Sequence, residues 1–183
     1  MGMYAKYPKH QDRTFKPNKE LCEGDVIKEV DHTLIAIHTP GHASNHICFF
    51  LEEEKILFTG DHIMEGSTVV ISPPDGNMRE YIHSLEKLKA LGIKTIAPGH
   101  GETMRDANAV VDWIVSHRMF REKKVVDAIT ELNRCTLDEL LPKVYDDVGS
   151  HLHGIAKSSL EAHLIKLIEE EKVTKDEDIY IWG

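Results

Sequence analysis

The chain has 183 residues, a formal net charge of −9 at pH 7, and 41% hydrophobic against 29% charged residues. This length and composition indicate an ordinary globular protein with one full domain, or a medium domain followed by a small one, and exclude a disordered or fibrous chain. The negative charge argues against non-specific binding to nucleic-acid phosphates; the lack of an apolar run of roughly 20 residues, or of a signal-peptide core, predicts no membrane association and a cytoplasmic location.

The first half of the chain is predicted to form a sheet after an unstructured start. Residues 1–20 contain two prolines and little apolar pattern, so we expect a tail or irregular lead-in. Four short runs of β-branched or aromatic residues follow, each bounded by glycine, proline or acidic residues: GDVIKEV, HTLIAIHTP, HICFFLEEE and KILFTGD. These are typical of successive strands. The acidic turn at residues 52–54 predicts that the last two strands form a hairpin.

Helices are predicted to alternate with one further strand over residues 75–130. Asp75, Gly76 and Asn77 supply turn and N-cap chemistry for a helix from about Met78 to Leu91. A short strand, IKTIA, comes next. Apolar residues at helical spacing then predict one long helix or two between residues 107 and 130. A break between two helices is expected at residues 117–121.

The C-terminal part has the element order of a winged helix. A capping-box pattern at Thr136 and Glu139 predicts a short helix, a second helix is expected at residues 155–171, and VTKDEDIYIW predicts two strands about a polar turn. We therefore divide the chain into 1–20, 21–117 and 118–183. The last segment has 10 Lys or Arg against 14 Asp or Glu, which favours packing or dimerisation over binding a nucleic-acid duplex.

Three polar residues stand where predicted strands end. They are His42 in TPGHASNH, Asp61 in FTGDH and His100 in APGHGE. Each follows a glycine-containing turn, and Gly41 and Gly99 would let the backbone bend sharply before the histidines. Each residue alone is commonly a simple turn residue. Together they predict a metal site at one sheet edge, because imidazole and carboxylate groups are the ligands expected for zinc, or for manganese or iron.

These motifs resemble those of a known family. TPGHASNH, FTGDH and APGHG are similar to the third, fourth and fifth metal motifs of the metallo-β-lactamase superfamily. The resemblance continues through GDHIMEGSTVVISPPDGNMREYIHSLEKL and SHRMFREKKVVDAI to the winged-helix end, and points to the β-lactamase-like-protein-2 branch, which includes endoribonucleases and bacterial hydrolases. It implies an α/β (α+β) fold: the C-terminal half of an αββα sandwich plus a small winged-helix domain.

The resemblance also implies roles for particular residues. His42 would ligate a first metal, Asp61 would bridge two metals, and His100 would ligate the second. His46 would support these ligands without binding metal, although a half-buried strand histidine is the alternative. His62 is expected to point away from them. The family's His-x-His-x-Asp-His motif does not occur in this sequence, so we expect at most one weakly held metal and no two-metal centre.

Two functions follow as hypotheses. The first is the C-terminal part of a zinc-dependent hydrolase that cleaves an ester or phosphodiester through a metal-bound hydroxide and has little or no activity by itself. In a complete family member the substrate would be a small ester or single-stranded RNA. The alternative is a non-catalytic binding or assembly module derived from the same fold. Because half a sandwich exposes the apolar face of strands such as ICFFL and KILFTG, we also expect self-association as a homodimer or larger assembly.

Overall fold

The computed structural model describes residues 16–183, so most of the predicted tail at residues 1–20 lies outside the described residues. The fold is mixed α/β, as the sequence predicts. Within the described part of the chain, no helix has the length and apolar content needed to cross a bilayer.

A six-stranded sheet forms the first part of the fold. Its strands are β1 Val26–Lys28, β2 Thr33–His38, β3 Ile47–Leu51, β4 Ile56–Gly60, β5 Thr95–Pro98 and β6 Met104–Arg105. They lie in sequential order, and every neighbouring pair is antiparallel except β4 and β5. The predicted hairpin between β3 and β4 is confirmed. The parallel pair matters most for function, because it brings the C-terminal ends of β4 and β5 to the same edge.

Two helices complete this part. Helix α1 spans Met78–Leu88 and is capped by the Asn77 side chain, which accepts a hydrogen bond from the backbone N–H of Glu80; a 3₁₀ turn extends it to Leu91. Helix α2 spans Ala107–Leu132 without interruption. The predicted break at residues 117–121 is wrong, because the helix contains no proline or glycine and buries Arg118 and Arg121 in that stretch.

The sheet has two unlike faces. One face packs against α1 and α2 in a core that includes Leu57, Ile96, Leu85 and Ile114. Side chains alternate across a strand, so the opposite face carries the other set of residues. Cross-strand partners place four of them in one row, Ala36, Phe49, Phe58 and Ala97. Phe58 is 43% exposed, so this second face presents apolar surface to solvent.

The C-terminal elements form a separate small core. They are β7 Arg134–Thr136, α3 Leu137–Val144, a 3₁₀ turn Ser150–Leu152, α4 His153–Glu169, β8 Val173–Asp176 and β9 Ile179–Trp182. The predicted capping box is confirmed: Thr136 and Glu139 each bond the other's backbone N–H. The three strands pair antiparallel in the order β7-β9-β8. The sequence predicted the hairpin β8–β9 but not β7.

Helix α2 belongs to both cores. Val111 and Ile114 pack in the sheet core, whereas Val125 and Ile129 pack with the winged-helix elements. The expected division between residues 117 and 118 therefore falls inside one continuous helix. The domain limits given by the sequence stay a prediction.

A buried charged cluster joins α2 to α4. Glu122 Oε1 accepts a hydrogen bond from Lys166 Nζ at 2.7 Å, and Glu122 Oε2 lies 3.2 Å from His163 Nδ1; all three residues are buried. Burial lowers the pKa of His163. Burial by itself would raise the pKa of Glu122, but hydrogen bonds from His163 and Lys166 outweigh it and leave that pKa lowered. The carboxylate therefore stays charged and ties the two helices together.

Candidate metal centre

The predicted ligands lie at the ends of strands. Asp61 directly follows β4 and His100 comes two residues after β5. Because these strands are parallel, the two side chains meet: His100 Nε2 is 3.3 Å from Asp61 Oδ1. Their side chains are 71% and 50% exposed, so this pair is open to solvent and to an incoming ligand.

His42 is oriented by a loop from elsewhere in the chain. Its Nδ1 lies 2.9 Å from the carbonyl oxygen of Val70. A carbonyl oxygen only accepts hydrogen bonds, so Nδ1 must carry the proton, and the lone pair of the neutral ring lies on Nε2. This is the arrangement in which a backbone carbonyl fixes the tautomer of a metal-binding histidine.

Close backbone contacts hold two of these strand ends in place. Gly41 has a φ of +133°, and a Cβ there would lie 2.3 Å from the Cα of Tyr81. The prediction of a sharp bend at this glycine is therefore confirmed. At Gly99 the reason is different: its N–H donates to the carbonyl of Gly60 at 2.8 Å, and a Cβ would lie 3.0 Å from that carbonyl. Gly99 is thus needed for the close approach of β5 to β4.

His46 packs behind the end of β4, next to Asp61. Its Nδ1 is 2.8 Å from Thr39 Oγ1, and a Cβ placed on Gly60 would lie 3.2 Å from its Nε2. The ring therefore packs against the residue that precedes Asp61. Burial and the neighbouring His42 lower the pKa of His46. His46 is half-buried and stands immediately before β3. Its supporting role and the alternative of a half-buried strand histidine both stay predictions.

His62 faces the core rather than the site. It is fully buried, its ring makes an edge-on contact with Tyr81 at 4.9 Å between centroids, and its carbonyl accepts a hydrogen bond from the Tyr81 hydroxyl. Burial lowers its pKa to about 3. The expectation that His62 points away from the ligands agrees with this position.

The donor atoms of Asp61, His100 and His42 are suited to a metal ion, although the three do not all lie close together. A carboxylate and an imidazole in contact, with the free Nε2 of a third residue, are the atoms that zinc takes as ligands. Among residues 16–183, however, the group whose three donor atoms all lie within 4.8 Å of one another is at another place, formed by His32, Glu53 and Glu54. Asp61 and His100 therefore contact each other, whereas the donor atom of His42 is not within 4.8 Å of both of theirs.

Sequence analysis missed the group of His32, Glu53 and Glu54. The residues lie in two neighbouring turns, before β2 and after β3, and the pairing of Leu34 with Leu51 brings these turns side by side. The antiparallel register of β2 and β3 is the feature that would have predicted this group. All three are exposed, and Glu53 already accepts a hydrogen bond from the backbone N–H of Thr33.

Two family models match the chain. The model described as the metallo-beta-lactamase superfamily matches residues 1–100, and the model described as the beta-lactamase associated winged helix domain matches residues 136–182. The first covers more than half of the 183 residues.

Curated proteins from fungi and a nematode are similar to the chain. The lactamase-like protein aptB of Emericella nidulans is 30% identical over 174 residues, covering 90% of this chain and 55% of that protein. The beta-lactamase-like protein 2 homolog of Caenorhabditis elegans is 33% identical, covering 75% and 45%. An atrochrysone carboxyl ACP thioesterase of Aspergillus fumigatus is 31% identical, covering 73% and 40%. The chain spans about half the length of these relatives.

Solved structures share the fold. A metallo-beta-lactamase family protein from Thermus thermophilus superposes with a TM-score of 0.77 at 24% identity, covering 89% of this chain and 54% of that one. A beta-lactamase domain protein from Burkholderia ambifaria gives a TM-score of 0.78 at 20% identity, covering 90% and 52%. Members of this superfamily typically bind metal ions. The strand-end residues and both matched models lead to one conclusion: the chain belongs to the metallo-β-lactamase superfamily and carries its associated winged helix domain.

Proposed function

We propose that this chain supplies part of the active site of a metal-dependent hydrolase that cleaves an ester bond. The observation that carries the proposal is the contact between Asp61 and His100 at the ends of two parallel strands. His42, with its Nε2 left free by the Val70 carbonyl, adds a third donor at the same sheet edge.

Zinc suits these donors best, because two imidazoles and a carboxylate are common zinc ligands; manganese and iron are the alternatives. When bound, the ion would supply Lewis acidity toward a carbonyl or phosphoryl oxygen. The chain's own part is to position it: Asp61 and His100 hold it, the Val70 carbonyl fixes the tautomer of His42, and His46 packs behind Gly60 to keep Asp61 in place.

A thioester is the favoured substrate class over single-stranded RNA. One similar protein is named as an acyl-carrier-protein thioesterase, and the net charge of −9 works against binding a polyanion. An endoribonuclease activity would require a local basic surface to overcome that charge.

The proposal predicts that zinc binding depends on His42 and Asp61. After dialysis against micromolar zinc, we expect wild-type protein to retain about one metal per chain by elemental analysis, since three protein donors are the usual number in a catalytic zinc site. His42→Ala and Asp61→Ala should retain almost none. His151→Ala is the matched control, because it removes an exposed histidine of the C-terminal part that is not a predicted ligand. It should bind zinc like wild type. Wild-type protein without metal, or equal retention by all variants, would contradict the proposal.

A second candidate function is a non-catalytic assembly module, and the apolar row on the outer sheet face favours it. Phe49, Phe58 and Ala97 are the partly exposed members of this row, and soluble monomers rarely leave a large apolar patch in water. We propose that a second copy of the chain covers this face, sheet against sheet at the usual spacing of roughly 10 Å.

Self-association through this face predicts a dimer in sedimentation velocity at micromolar concentration. Phe58→Lys should shift the protein to a monomer, because a charge at a partly exposed strand position opposes packing but leaves the strand folded. Val30→Lys adds the same charge at an exposed turn residue outside the row and should leave the dimer intact. A monodisperse wild-type monomer would refute the interface.

A further inference from the structure

A cavity of about 310 Å³ lies where the sheet domain meets the winged helix. Its lining comes from three places: the loop at residues 67–70, the middle of α2, and the stretch from Tyr145 into α4. The volume is at the lower end of the roughly 300–1,000 Å³ typical of small-molecule sites. None of the residues predicted to bind metal lines it, so it is separate from the metal centre.

Arg118 gives this cavity an unbalanced positive charge. The residue is only 4% exposed, yet within residues 16–183 it forms no ion pair at 4.0 Å or less. Its Nη2 donates to the carbonyl of Val69, and its guanidinium carbon lies 5.3 Å from the Tyr81 ring centroid. Its Nε is buried and has no hydrogen-bond partner in the part of the chain that the structure describes. A buried charge without a counter-ion is costly, so an anion entering the cavity would find a ready partner.

The neighbouring Arg121 differs from Arg118 in having a carboxylate partner, although its Nε is likewise buried without a hydrogen-bond partner among the described residues. Arg121 donates to both carboxylate oxygens of Asp147, at 2.7 and 3.1 Å, and to the carbonyl of Val144. Asp147 is therefore already engaged. His117, which also lines the cavity, has a buried Nδ1 without a hydrogen-bond partner among residues 16–183. Arg118 is thus the buried guanidinium in this wall that has no carboxylate partner within residues 16–183.

The other side of the cavity is apolar. Leu152 and Ile155 are 43% and 54% exposed, unusually open for such side chains, and Val148 and Ala156 lie beside them in the lining. A ligand with an alkyl chain would cover this surface, which favours its binding in proportion to the apolar area buried. The lining therefore pairs a cationic inner group with an apolar wall.

One loop connects this cavity to the metal centre. Two consecutive carbonyl groups of the loop at residues 67–70 contact the two sites. The Val69 carbonyl accepts a hydrogen bond from Arg118 in the cavity, and the Val70 carbonyl accepts one from His42 in the metal centre. A ligand that occupies the cavity would therefore contact the same loop that orients a predicted metal ligand. This is the placement expected of a site that holds one end of a substrate.

We propose that the cavity binds an acyl-chain ligand bearing an anionic group, a carboxylate or a phosphate, with Arg118 contacting the anion and Leu152 and Ile155 contacting the chain. As a substrate site this rests on the proposed ester hydrolysis. The binding itself requires neither metal nor catalysis, so it is measured independently of the proposed function.

The probes are octanoate and octyl phosphate, each titrated into the protein by calorimetry below its critical micelle concentration. We expect both to bind, with the tighter one identifying the head group, and we expect octanol and octylammonium to bind at least tenfold more weakly. Inorganic phosphate alone should also bind more weakly, because it lacks the chain. Equal affinity for octanol or octylammonium would overturn the role of the anion.

Variants locate the site. Arg118→Gln should weaken octanoate at least tenfold while leaving octanol unchanged, and Ile155→Asp, at an exposed position that does not endanger folding, should weaken octanoate by a similar factor. Phe120→Asp, an exposed apolar position on α2 that does not line the cavity, is the matched control and should bind like wild type. Unchanged binding in Ile155→Asp would overturn the proposal. Octanoate binding preserved in His42→Ala would support the cavity even if hydrolysis fails.

Discussion

Gly41→Ala is expected to lower the free energy of unfolding by about 4 kcal/mol, the combined cost of overpacking and of a strained φ. The added Cβ would lie 2.3 Å from the Cα and 2.4 Å from the backbone N of Tyr81. These are backbone atoms at the start of a helix, so no side-chain rotation can relieve the clash. Either α1 or the end of β2 must move, and His42 would move with it.

Urea denaturation of the two proteins measures this difference, and Gly92→Ala is the matched control. Gly92 also has a positive φ, +64°, but a Cβ there meets nothing within 4 Å. Gly92→Ala should therefore lower the free energy of unfolding by only about 1 kcal/mol, from backbone strain alone. Equal losses in the two variants would show that the contact with Tyr81 contributes nothing.

Glu122→Ala is expected to lower the free energy of unfolding by about 3 kcal/mol, because it removes the buried carboxylate that accepts hydrogen bonds from His163 and Lys166, and hydrogen bonds to charged groups contribute roughly 1.5–3 kcal/mol. Lys166 would keep Glu170, at 2.7 Å, as a partner. His163 would lose its only side-chain hydrogen bond within the described residues, since its Nε2 already has none. The loss thus falls on the contact between α2 and α4.

Chemical denaturation followed by circular dichroism measures the effect, with Glu131→Ala as its control. Glu131 lies on the same helix and pairs with Lys143 at 2.9 Å, but both side chains are well exposed. Exposed pairs contribute little, so this variant should change stability by at most about 0.5 kcal/mol. A small effect at Glu122 would mean that the buried cluster is not a stabilising contact.

The sequence predicts the fold well where a local signal exists. The runs around Ile35, Phe49 and Leu57 predict strands because turn residues bound them, and the cap at Thr136 predicts where α3 begins. Strands β6 and β7 have no such signal. They contain two and three residues, too few for a period, and exist only through pairing with β5 and β9.

The site is predictable in part for the same reason. Asp61 and His100 follow strands, and a parallel pairing brings them together. The bond from His42 to Val70 spans 28 residues and depends on the path of an irregular loop. The position of Arg118 is similarly hidden, since a charged residue inside a helix pattern gives no sign that tertiary packing will bury it.

Helix α2 has a mechanical consequence. Its 26 residues make a rod of roughly 39 Å at 1.5 Å per residue. Unwinding its C-terminal half would strip Val125 and Ile129 from one core, and fraying would propagate toward Val111 in the other. The two cores should therefore melt together in a single cooperative transition, and a protease should find no flexible linker at which to separate them.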